Sequence, residues 1–264
     1  MRKNTVKATL QAGGTVANGW VGIPSSYSAE LIGHAGFDSV TVDLQHGLIG
    51  FDQALPMLQA LSSTPAIPLV RVPGNDGPEI MHLLDAGAYG VICPMISTPE
   101  QAASFVSACR YPPEGDRSFG PARGFLYGGK DYYTHANEEI LTIGMIETQE
   151  ALDNLDAILA VDGLDGVYIG PNDLSLNLGH APSSEPTAEP VVKAIAHILA
   201  RTLAHGKIPG IFCSNGVAAR ARLEQGFRMV TPGNEAGILS AAAAQAVAQI
   251  RSESTESSTQ TSGY

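Results

Sequence analysis

Apolar and β-branched residues along the chain gather in short runs separated by longer stretches of helical period. The runs are "TVANGW" (15–20), "SVTVD" (39–43), "IPLVR" (67–71), "GVICP" (90–94), "LTIGMIE" (141–147), "GVYIG" (166–170), "KIPGIF" (207–212) and "FRMVT" (227–231), eight candidate strands. Between most of them the apolar residues recur every three to four positions, as in "SAELIGHAG", "FDQALPMLQAL", "GPEIMHLLDAGA", "TPEQAASFVSACR", "TQEALDNLDAILAV", "PVVKAIAHILARTLAHG", "GVAARARLEQG" and "EAGILSAAAAQAVAQI". Start and stop signals sit where these patterns need them. Thr98 precedes Pro99 with Gln101 three on, Thr148 precedes "QEAL" and Asn234 precedes "EAGIL", while Gly36, Gly87, Gly206 and Gly226 close helices. Eight strand-then-helix units predict an α/β fold of the (β/α)8 TIM-barrel type. A doubly wound open sheet is the rival, but no GxGxxG follows the first strand.

Two stretches break the rhythm. Residues 111–137, "YPPEGDRSFGPARGFLYGGKDYYTHAN", are too long for a passive connection, and their aromatics, glycines and arginines suggest a lid over the site or an oligomer arm. Residues 179–190, "GHAPSSEPTAEP", form a shorter Pro/Ser-rich loop.

Composition narrows the class. With 264 residues, 44% hydrophobic, the chain suits one large barrel domain over 1–251, followed by a polar, low-complexity segment, 252–264, expected to be disordered. A formal charge of −11 argues against nucleic acid or an anionic membrane as partner, and leaves small molecules. The cysteines, Cys93, Cys109 and Cys213, lack metal-ligand spacing and read as reduced core residues. No apolar stretch approaches the roughly 18 residues of a membrane span and the N-terminus lacks a signal-peptide core, which points to the cytoplasm.

In a barrel, the C-terminal strand ends converge on one mouth, where the chemistry sits. The polar and aromatic residues that fall there are Trp20, Asp43 and His46, Arg71, Glu147, and Asn172 with Asp173. Glu147 and Asp173 would be two partly desolvated, mutually repelling carboxylates, a need that a hard divalent cation meets; the competing reading makes each a helix or turn cap. His46 with Asp43 three residues before it is a candidate general base with a carboxylate to orient its ring, against the plainer reading of a loop histidine. Arg71 closes an apolar strand and needs an anionic partner, either a substrate oxygen or a structural aspartate across the barrel. The "GPND" turn, Gly170 and Pro171 through Asp173, offers backbone N–H groups to an anion.

These residues, and the stretches "GWVGIPSSYSAELIGHAGFDSVTVDLQHG", "VRVPG", "LLDAGAYGVICPMISTPEQA", "RYPPEGDRSFGPARG", "MIETQEALDNLDAIL" and "GVYIGPNDLSLNLG", give a chain that resembles the metal-dependent class II pyruvate aldolases of the HpcH/HpaI family. The resemblance implies a pyruvate-type barrel assembled into hexamers by exchange of the last helix. It implies Glu147 and Asp173 as ligands of Mg2+, Mn2+ or Co2+, His46 as base, Arg71 as enolate stabiliser, and Asn172 with Asp173 lending amides to the pyruvate carboxylate. It further implies that Asp85 of "LLDAGA" supports the histidine. Substrate, pyruvate with an aldehyde, is expected against Trp20, Met145, Gly170, Pro171, Asn172 and Asp173. The chain departs from relatives acting on a heptanedioate substrate at Met145, where they have glutamine, and at Leu44 and Gln45, where they have a small residue and an acid. These departures bear on the acceptor aldehyde. Rival readings are an oxaloacetate decarboxylase, a citrate-lyase-β-like CoA-ester lyase, and a non-catalytic barrel that binds a keto acid.

Overall fold

The computed structural model describes residues 1–252. Eight parallel strands close in sequence order into a barrel: β1 (Val16–Val21), β2 (Ser39–Asp43), β3 (Ile67–Arg71), β4 (Gly90–Cys93), β5 (Leu141–Ile146), β6 (Gly166–Ile169), β7 (Ile208–Cys213) and β8 (Met229–Pro232). Helix α1 (Thr5–Gln11) precedes them, and α2 (Ser26–Gly33), α3 (Phe51–Leu61), α4 (Gly77–Asp85) and α5 (Pro99–Cys109) follow the first four strands in turn. Two helices, α6 (Ala122–Gly128) and α7 (Tyr132–Glu139), fill the long segment before β5. Then come α8 (Gln149–Asp153) and α9 (Leu155–Leu159), α10 (Pro171–Asn177) and α11 (Glu189–Ala204), α12 (Gly216–Gln225), and α13 (Glu235–Ser252). The segment read as a disordered tail lies outside the described residues, apart from Ser252 at the end of α13.

Every residue of β2 and β3 is buried, because helices cover the outside and side chains fill the inside. The helix signals work as read. Thr98 and Gln101 form a reciprocal capping box on α5, Thr148 Oγ1 accepts from Ala151 N at 3.0 Å, and Asn234 Oδ1 accepts from Gly237 N at 2.8 Å. The stretch expected as one helix after β5 breaks at Asn154, whose side chain donates to Ser97 O at 2.9 Å.

The barrel interior holds a polar layer. Ser39 and Thr41 donate to Asn18 Oδ1, and both Asn18 and Tyr168 donate to Thr231 Oγ1, so each buried polar atom meets a partner across strands. Gly210 makes this layer possible: a Cβ there would come within 2.4 Å of the Tyr168 ring.

The N-terminal face is closed by a floor not foreseen from the sequence. Asn4 caps α1 and donates through its amide to Tyr89 O and Glu139 O, Lys7 Nζ donates to Ile140 O, and Val6 and Leu10 are buried. Segment 111–137 belongs to this floor, since α7 runs directly into the N-terminal end of β5. Arg117 is buried there, donating to Tyr132 Oη at 3.1 Å and to Asp85 Oδ1 at 2.8 Å. No residue of 111–137 lines the cavity at the mouth, so the lid reading fails within one chain.

Candidate active site

The register of β2 on β3 sets Asp43 beside Arg71. Arg71 grips the carboxylate with two nitrogens, Nε to Oδ1 at 2.8 Å and Nη2 to Oδ2 at 2.7 Å, and Trp20 Nε1 donates to Oδ2 at 3.1 Å. Oδ1 also accepts the backbone N–H groups of Gln45 and His46 at 3.1 and 3.3 Å. Burial alone would raise the Asp43 carboxyl, but the paired guanidinium and the other donors hold it below the usual carboxylate range. The structural-partner reading of Arg71 is therefore met, by a neighbouring strand. Asp43 is not aimed at the His46 ring, as the spacing had suggested; it fixes the backbone of the loop that presents an exposed His46 to the mouth. The guanidinium also stacks 4.8 Å over Trp20, and its Nη1 has no partner among the described residues.

Glu147 stands one residue past β5 and is 2% exposed. Its Oε2 accepts from Met95 N at 3.1 Å, and Met95 delivers that N–H from a left-handed backbone, φ 56°, a conformation strained for a branchless but bulky residue. Gly170 leaves room for the other oxygen: a Cβ there would lie 2.2 Å from Oε1. Burial raises the Glu147 carboxyl to about 7, and the Asp173 charge adds to this against the pull of the Met95 N–H and of Arg71. Thr148, not Glu147, caps α8, so the cap reading of Glu147 does not hold. Asp173 lies in the first turn of α10 and its carboxylate makes no hydrogen bond among the described residues. The two carboxylates thus form a corner whose negative charge the Met95 N–H and Arg71 offset only in part, a donor set that suits a hard divalent cation. No group of three or more His, Cys, Asp or Glu side chains among the described residues is placed to hold a metal, so the chain itself offers two.

A cavity of about 570 Å³ opens at the mouth, a size that suits a small ligand. Trp20, Asp43, His46, Arg71, Met145, Glu147, Gly170, Pro171, Asn172 and Asp173 all line it. Asp85 does not: as the last residue of α4 it stands at the opposite end of the barrel and holds Arg117. Leu44 is buried in the apolar core and Gln45 is likewise absent from the cavity wall, so only Met145 of the departing residues lines the cavity. The sequence reading missed Tyr168, Phe212 and Ser184 on the wall. Phe212 and Tyr168 flank Trp20 at 5.7 and 5.8 Å between ring centroids. It also missed Glu235, buried after β8, which accepts from Gly22 N, Ile23 N and Ser28 Oγ and ties the mouth together between β8 and β1. Glu147 directly follows its strand, whereas Glu235 stands three residues past β8 at the start of α13, where an acid reads as an ordinary first-turn helix residue.

A closed parallel barrel whose mouth gathers paired carboxylates, a clamped arginine and a presented histidine defines a barrel enzyme. The chain belongs to the HpcH/HpaI aldolase/citrate lyase family, whose model matches residues 19–242. It is 46% identical over 248 residues to a hydroxypyruvate/pyruvate aldolase of Rhizorhabdus wittichii, covering 94% of this chain and 99% of the relative. It is 39% identical over 254 residues to a 4-hydroxy-2-oxo-heptane-1,7-dioate aldolase of Salmonella dublin, covering 95% and 96%. A crystal structure of a family protein from Burkholderia cenocepacia superposes with a TM-score of 0.88 at 30% identity, over 94% of this chain and all of that one. The chain is accordingly a carbon–carbon lyase.

Proposed function

We propose that the protein is a divalent-metal-dependent aldolase that makes or cleaves 4-hydroxy-2-oxo acids through the enolate of pyruvate. The observation that carries the reading is the corner formed by buried Glu147 and unpartnered Asp173 within one cavity with Arg71 and His46. Glu147 and Asp173 would hold Mg2+, Mn2+ or Co2+. A cation bound there supplies Lewis acidity toward the carboxylate and 2-oxo oxygen of the substrate.

The chain's own residues do the rest. The first-turn N–H groups of α10, at Asn172 and Asp173, have no intrahelical acceptors and would take the substrate carboxylate. Arg71, locked by Asp43, holds its free Nη1 edge toward the 2-oxo oxygen as negative charge grows on it. In the cleavage direction His46 takes the proton of the 4-hydroxyl, the C3–C4 bond breaks to release the aldehyde, and the same imidazole returns the proton to C3 to give pyruvate. Trp20, Tyr168, Phe212 and Met145 wall the floor of the cavity against water. No lysine lines the cavity among the described residues, so no Schiff base is formed with the substrate there. Asp85 is given no part in proton transfer within one chain. The same reading includes a cytoplasmic location and assembly into a hexamer through α13.

The test is exchange of pyruvate methyl protons with deuterium, together with pyruvate release from a panel of 4-hydroxy-2-oxo acids under Mg2+, Mn2+ and Co2+. Both activities are expected to vanish with EDTA and to drop at least about a thousand-fold in Glu147→Gln. Treatment with borohydride and substrate is expected to leave them intact. Activity surviving both EDTA and Glu147→Gln would sink the proposal.

A further inference from the structure

The loop after α10 returns over the mouth and is fastened from two sides. Glu185 accepts from Ser214 N at 3.0 Å and from Arg222 Nη2 at 3.3 Å, which ties the loop to the far end of β7 and to α12. Its own N–H donates to Ser183 Oγ at 3.2 Å, stiffening the backbone beside it. Between these anchors Ser184 faces the cavity, and Asn172 Nδ2 donates to its Oγ at 3.3 Å. Asn172 occupies one lone pair of that hydroxyl and orients it. The O–H hydrogen then has no acceptor among the described residues, and the second lone pair is free as well.

Depth decides which part of a substrate meets it. Glu147, Met145 and Tyr168 form the floor at 0–2% exposure, while Ser184 is half-buried at the rim. A 2-oxo acid held at the floor leaves the aldehyde half toward the rim. Arg71 is the one arginine or lysine on the wall among the described residues, and it sits deep in the cavity already bound to Asp43. A hydroxyl on the aldehyde would meet in Ser184 both a donor and an acceptor, which an alkyl group at the same place could not use.

We infer that Ser184, positioned by Asn172 and by the Glu185 fastening, is a specificity residue that selects short hydroxylated aldehydes as the acceptor; this rests on the aldolase reading above. The experiment compares kcat/KM for glycolaldehyde and for acetaldehyde, each with pyruvate, in the wild type, Ser184→Ala and Ser184→Thr. Ser184→Ala is expected to lose about ten-fold of the glycolaldehyde preference, through KM for the aldehyde rather than kcat, and Ser184→Thr to keep it. An unchanged ratio in Ser184→Ala, or equal losses for the two aldehydes, overturns the inference. Deuterium exchange into pyruvate by the wild type separates the two failures. Exchange with an unchanged ratio defeats the Ser184 role alone; absence of metal-dependent exchange defeats the aldolase reading and this role with it.

Discussion

At the scale of single residues, Glu147 sets a pH dependence with a definite sign. Its carboxyl lies at about 7 in the folded chain against 4.5 ordinarily, so the native state holds a proton that the unfolded state gives up. The stability tied to that proton is complete below about pH 4.5 and lost as pH rises through 7, an amount on the order of 3 kcal/mol for this nearly fully buried group. A cation between Glu147 and Asp173 competes for the same carboxylate and relieves the penalty. Melting temperatures with and without Mn2+ are therefore expected to show a small increment at pH 6 and a clearly larger one at pH 8, and Glu147→Gln should abolish the increment at both. Equal increments at the two pH values would place the cation elsewhere. The strand-end carboxylates were legible because each follows an apolar run that leaves it nowhere to go but the mouth. The partner of Asp43 was not: a three-residue spacing to His46 suggests a ring contact, whereas the Arg71 pairing is a property of strand register, which no local spacing encodes.

At the scale of elements, all eight strands fall within two residues of where the hydrophobic pattern puts them, because buried parallel strands are written as continuous branched runs. The floor was not readable in the same way. Helices α1, α6 and α7 are seven or eight residues long, only about two turns each, and their apolar residues are interleaved with charges that find partners only in three dimensions. Glu139 accepts from Lys3 Nζ and Asn4 N at 2.6 Å, and Lys7 lies 3.0 Å from Asp165; such contacts span more than 130 residues. The floor and the mouth are opposite ends of one barrel, so they should respond separately to mutation. Leu10→Ala, which removes a side chain 4% exposed beneath the barrel, is expected to cost about 3 kcal/mol in urea unfolding. The same variant should leave KM for pyruvate unchanged, and a large shift in KM would show that the floor reaches the site.

At the scale of the whole molecule, α13 stands apart from the rest of the fold. Glu235 at its start is buried and fastened to the β1 loop, yet every residue from Ala236 to Arg251 is exposed, in a helix rich in alanine. Ile238, Leu239, Val247 and Ile250 are 44–75% exposed, an apolar surface of a kind that monomeric proteins keep small. The barrel does not need this helix for closure, since the eight strands already pair in a complete ring. A long helix anchored at one end and apolar along its length is suited to lie against other copies of the same chain, and closed symmetry then limits the assembly to a defined number of subunits. Light scattering on a sizing column is expected to give a hexamer for the wild type. Replacing Leu239 and Ile250 together by Asp should give smaller species with the far-UV circular dichroism of the barrel retained, because neither side chain packs on the barrel core. A wild type that elutes as a monomer, or a double variant that stays hexameric, would remove α13 from the assembly.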